Sequence, residues 1–139
     1  MDKILENAKK LLLENDLTCV MMNENQTKTS KKRGIAPLLE WFDKSEDFAS
    51  FCVADKVVGK GAAFLYVLMN VKSVYAFVIS KSARQVLARN NIELYFEEEV
   101  ETIRNRDNTG FCPIESALKN IEDAKKALPV ISETLEKLK

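Results

Sequence analysis

The chain contains no histidine among its 139 residues. That absence removes the commonest general base and the commonest metal ligand, and with them every mechanism that needs an imidazole. Cysteine is scarce as well: Cys19, Cys52 and Cys112 are odd in number, widely spaced and never arranged as CxxC. A disulfide framework and a cysteine zinc site are therefore not expected, and neither is any metal or cofactor. Net charge is missing too, because 21 Lys and Arg residues balance 21 Asp and Glu residues. Without a global positive field, nucleic acid is not an expected partner. The one basic run, Lys28 with Lys31, Lys32 and Arg33, has no interleaved aromatics to stack on bases and reads as a solvated hairpin arm. No run approaches the roughly 18 uncharged apolar residues of a transmembrane helix. The opening MDKILENAKKLLLEND carries charges through its apolar positions, unlike a signal peptide. The expectation is a cytoplasmic protein with no membrane partner. With no Pro/Gly-rich linker and no internal repeat, residues 1–139 read as one domain, long enough to bury a core.

What is present is periodic. Ile4, Leu5, Ala8, Leu11 and Leu12 share one helical face and predict an amphipathic helix to about Asn15. LTCVMMN reads as a strand, Asn23-Glu24-Asn25 as a turn, and QTKTSKK as a polar edge strand. GIAPLLEWFDK reads as a short helix with Pro37 in its first turn. The centre predicts strand FASFCVA (48–54), helix GAAFLYVLMN (61–70), strand VYAFVI (74–79), helix SKSARQVLARN (80–90) and strand IELYF (92–96). Segment 74–79 is apolar throughout, the pattern of a strand buried on both faces. The acidic YFEEEVE reads as a strand end followed by a solvated helix start. Ile114, Ala117, Leu118, Ile121 and Leu128 share a face in the last third, and Pro129 is expected to break or bend the helix before Ile131, Leu135 and Leu138. Strand–helix–strand–helix–strand makes two crossovers and a parallel core. The predicted architecture is α/β: a three-layer α/β/α sandwich, its mixed sheet built from a hairpin plus parallel strands.

In such a sheet, ligands bind outside the carboxyl ends of the parallel strands. Loops 55–61, 80–82 and 97–99 should meet there. Gly59 and Gly61 allow a tight turn and a close approach, and the helix that follows aims free N–H groups at the same spot. Lys60 supplies a positive point charge, Asp55 a proton acceptor, and Ser80 and Ser82 hydroxyl groups. GKGA lacks the GxxxxGK[ST] spacing of a P-loop. The same residues would equally make a tight strand-to-helix turn with an Asp–Lys pair on the surface. An exposed lysine at a helix start contributes little to stability, so Lys60→Ala should affect a ligand more than folding. In TGFCPIESAL, Cys112 takes the N-cap place, Pro113 the first helical position, and Glu115 the capping-box position. A thiol there is either a nucleophile activated by the helix dipole or a small buried residue. Any base for it would have to be Asp55, Glu115 or a lysine.

The order helix, hairpin and parallel strand–helix units, with VADKVVGKGAA and GFCPIE as landmarks, resembles a bacterial family of unknown function assigned a cytidine-deaminase-like fold. The resemblance implies that fold over most of the chain and a pocket at the strand ends; it implies no activity. Zinc deaminases carry H-x-E at one helix start and P-C-x-x-C at the next. The corresponding KGAAFL and SKSARQ hold no His, Cys or Glu, so zinc-dependent deamination is not expected. Three readings follow. The chain is a metal-free deaminase-like module binding a small polar, anionic or nucleotide-like ligand. Alternatively it is an enzyme of non-zinc chemistry, with Cys112 as nucleophile and Asp55 and Lys60 as proton-transfer and charge-stabilising groups. The third is a scaffold or homo-oligomerisation domain using Leu135 and Leu138 of the C-terminal helices.

Overall fold

The computed structural model describes residues 1–32, 34–42, 46–103 and 113–137. Asp2 begins the folded chain: its Oδ1 accepts the Ile4 amide at 2.9 Å and so caps helix α1 (Lys3–Glu14). The apolar stripe of α1 buries Leu5, Ala8 and Leu12. Strands β1 (Cys19–Met22) and β2 (Thr27–Ser30) form an antiparallel hairpin. Asn23 shapes its turn by accepting the Asn25 and Gln26 amides on Oδ1. A short helix, α2 (Ala36–Trp41), has Pro37 in its first turn. Strand β3 (Cys52–Val58), helix α3 (Lys60–Met69), strand β4 (Ser73–Ser80), helix α4 (Lys81–Arg89) and strand β5 (Glu93–Val100) supply the parallel core. Helices α5 (Pro113–Ala117) and α6 (Ala124–Lys137) follow.

The sheet order is β2-β1-β3-β4-β5, with β1 antiparallel to both its neighbours and β3, β4 and β5 parallel. β4 lies between β3 and β5, as its apolar run predicts. One face packs Val20, Cys52, Ala54 and Tyr75 against α1. The other packs Cys19, Met21, Val53 and Val74 against α2, α3, α4, α5 and α6, through residues such as Leu38, Phe64, Leu87, Ile114 and Ile131. The result is a mixed α/β fold with helices on both faces of a five-stranded sheet.

Four expectations shift. β3 begins and ends four residues later than 48–54. Phe48 and Phe51 are instead buried in a turn before it, their rings 5.7 Å apart, with the Phe51 amide donating to the Phe48 carbonyl. Asp55 and Lys56 are therefore strand residues and not loop residues. β5 runs on through its carboxylates, which find cations: Glu97 pairs with Lys9 at 3.3 Å and accepts the Tyr75 hydroxyl, and Glu99 pairs with Arg84. Pro129 lies in the second turn of an unbroken α6, where its missing N–H forfeits one backbone bond while Ala127 and Ile131 stay buried. Last, β4 is not covered throughout: α1 shields Tyr75, with Lys9 4.7 Å over its ring, but Phe77 is 44% exposed.

Candidate functional site

Gly59 enters α3 in an extended conformation and offers no side chain to cap it. The Lys60 amide instead donates to Glu115 Oε2 of α5 at 3.0 Å. The start of α3, where the sequence suggests room for an anionic or polar ligand, is met by the protein's own Glu115 carboxyl. The glycines serve the same contact. A Cβ on Gly61 would lie 2.6 Å from Ile114 Cγ2, and one on Gly59 would meet Ile103 and the Glu115 carboxyl at 3.3–3.4 Å. The close approach they permit is to α5 and, at Gly59, also to Ile103.

Lys60 is turned inward and only 4% exposed, contrary to the expected surface position. Its Nζ donates to the carbonyls of Leu118 at 2.8 Å and Lys119 at 3.3 Å, with Glu122 3.8 Å away. The chain leaving α5 presents carbonyls that the helix itself cannot satisfy, and Lys60 satisfies them. Sequence reasoning gave Glu115 a capping role toward its own helix; the structure gives it one toward α3, with Oε1 buried and without a partner among the described residues. Only the spacing of two capping positions hinted at this, and spacing cannot reveal which helix start a carboxylate reaches. Cys112 lies outside the described residues.

Asp55 is not part of this contact. It points under α3, where the Tyr66 hydroxyl donates to Oδ2 at 2.6 Å and the Val57 amide to Oδ1 at 3.3 Å. Cys19, opposite Asp55 in the β1–β3 pairing, has its Sγ 3.5 Å from the same hydroxyl. All three residues are buried. Burial pushes the Asp55 carboxyl up from its ordinary 3.8 to about 7, against the pull of hydrogen bonds from Tyr66 and the local backbone. The same burial raises the Cys19 thiol and the Tyr66 phenol well above their ordinary ranges. Asp55 and Lys60 therefore engage different elements and share no contact.

Two features remain at the carboxyl ends of the strands. Ser80 is fully buried and caps α4, its Oγ accepting the Ala83 amide at 3.2 Å and lying 3.3 Å from Ser82 Oγ. Beside it, Val57, Val78, Val100, Glu101, Thr102 and Ile103 line an open depression of about 480 Å³. Ser80 is the register partner of Val100 in the β4–β5 pairing, so the start of α4 borders the depression. Sequence reasoning placed Ser80 and Ser82 at this end of the sheet but did not foresee its aliphatic lining. Among the described residues, no three His, Cys, Asp or Glu side chains gather as a metal centre, and no helix is long and apolar enough to cross a membrane.

The fold and these strand ends define an α/β domain whose best-formed polar contacts are internal. The chain belongs to the TM1506 family, a domain of unknown function (DUF1893), whose model matches residues 7–135. Its fold is similar to that of a DUF1893 family protein (TM1506) from Thermotoga maritima, at TM-score 0.88 and 24% identity, covering 96% of this chain and 91% of that one. No curated protein matches.

Proposed function

We propose that the chain is a cytoplasmic, metal-independent binding module of cytidine-deaminase-like design that holds a small nucleoside-like molecule over the carboxyl ends of β3, β4 and β5. The observation that carries this reading is the depression of about 480 Å³ lined by four aliphatic side chains and two polar ones. Small-molecule sites have this size and makeup, an apolar lining with a few orienting polar groups. Val57, Val78, Val100 and Ile103 suit a flat ring, while Thr102 and Glu101 suit hydroxyl or amino donors. An anionic end has no place at the start of α3, where Glu115 and Lys60 are already engaged. It would go to the start of α4, where Ser80 and Ser82 border the site.

Titrating isotope-labelled protein with nucleosides and nucleoside monophosphates, followed by amide shifts, tests the reading. Shifts should centre on Val57, Val78, Val100 and Thr102, and Val57→Lys should suppress them. Silence at millimolar ligand, or shifts indifferent to that substitution, would remove the depression from consideration.

A further inference from the structure

We propose that Asp55, Tyr66 and Cys19 form a proton-controlled latch: with Asp55 protonated they tie β3 and β1 to α3, and with Asp55 ionised the end of β3 that carries Val57 loosens. The cluster joins three elements through side chains alone. Asp55 comes from β3, Tyr66 from the middle of α3 and Cys19 from β1, and none is more than 6% exposed. Its hydrogen bonds run in one of two directions. If the acid is protonated, it donates to the Tyr66 oxygen, and the tyrosine proton is free to face the Cys19 sulfur 3.5 Å away. If the acid is ionised, Tyr66 donates to it at 2.6 Å and the Cys19 thiol turns toward the tyrosine oxygen.

The two directions are not equivalent in energy, because an ionised carboxylate in this position meets no cation among the described residues. Among the described residues its titratable neighbours are Tyr66 from α3 and Cys19 from β1, and β4 offers Ala76 as register partner. Lys56, next in the chain, reaches Asp16 at 3.5 Å, and Lys60 is turned to the end of α5. Released into solvent, the proton leaves a buried negative charge held by the Tyr66 hydroxyl and the backbone amides of Val57 and Lys56, without a cation among the described residues. Water is the better partner for that charge, and admitting it means parting β3 from α3. The burial that lifts the Asp55 carboxyl to about 7 places this change within the physiological range.

The consequence reaches the strand end through a single bond. The amide that Asp55 holds belongs to Val57, which lines the depression. Regulation of ligand binding by this latch rests on the proposed ligand site; the latch itself does not.

The test needs no ligand. Amide hydrogen exchange of the full chain, corrected for intrinsic rates, is measured residue by residue at pH 5 and pH 8, alongside the side-chain carboxyl carbon of Asp55. The Val57, Val58 and Tyr66 amides should lose protection at least tenfold from pH 5 to pH 8, and the carboxyl carbon should titrate near neutrality. Asp55→Asn should hold their protection within about twofold across the same range. Tyr66→Phe supplies an independent check if Asp55→Asn does not fold, and should lower protection at pH 5 toward the wild-type value at pH 8. An Asp55 carboxyl that titrates below pH 5, or wild-type protection that is independent of pH, would overturn the latch while leaving the depression untouched. A depression that binds nothing would leave the latch standing.

Discussion

Lys60 and Asp55 are close in sequence, ionisable and buried, yet they sit in opposite circumstances. Lys60 meets two carbonyls and a nearby carboxylate, so its burial satisfies groups that would otherwise go unpaired. Asp55 meets a hydroxyl and local backbone amides, with no opposing charge among the described residues. A buried ionisable group is supportive when its neighbours need what it offers, and a liability when they do not. The first residue fastens α5 against α3; the second makes the packing of α3 on β3 depend on a proton.

The contrast can be broken from the Lys60 side first. Lys60→Met keeps most of the volume but strands the Leu118 and Lys119 carbonyls, and should lower unfolding free energy by about 2–4 kcal/mol in urea titrations. An effect near zero would return Lys60 to the surface role the sequence suggests. Gly61→Ala drives a methyl to 2.6 Å from Ile114 and should cost about 1–3 kcal/mol by the same measurement. Glu115→Ala leaves the first amide of α3 without its acceptor and should cost about 1 kcal/mol, similar to losing an ordinary N-cap. Ser80→Ala removes the cap of α4 and should also cost about 1 kcal/mol. Smallest is a matter of reactivity. Cys19 and Cys52, both buried and with thiols raised by burial, should stay unlabelled by iodoacetamide at pH 8 in native protein and react only on unfolding, read by peptide mass spectrometry.

Much of the architecture was legible because it rests on periodicity. The helical stripe of α1, the hairpin, and the alternation of buried strands with helices through the centre all follow from where apolar residues recur. The limits of β3 were not legible, because Asp55-Lys56 looks like an interruption until Tyr66 is known to reach it from another element. β5 misleads in the same way: its carboxylates read as solvated until Lys9 and Arg84 arrive from α1 and α4. The candidate site divides along that line. That the start of α3 needs an acceptor follows from the free amides of any helix start, but that Glu115 supplies one is a tertiary fact. Lys60 was misplaced because its partners, the carbonyls ending α5, are backbone groups with no signature in side-chain sequence.

The most direct test sets the two buried groups against each other across pH. Because folding raises the Asp55 carboxyl from 3.8 to about 7, the folded state holds its proton more tightly than the unfolded chain does. Stability from this group is therefore complete below about pH 4 and is lost as pH rises through 7, by on the order of 4 kcal/mol. Glu97 and Glu122 are held below the ordinary carboxylate range by their hydrogen-bonded partners and act oppositely, but only under more acidic conditions. Unfolding free energies of wild type, Asp55→Asn and Lys60→Met, measured at pH 4.5 and pH 8, decide the matter. The account predicts that Asp55→Asn exceeds wild type at pH 8 by far more than at pH 4.5, while Lys60→Met falls below wild type at both. An Asp55→Asn protein destabilised equally at both pH values would contradict it.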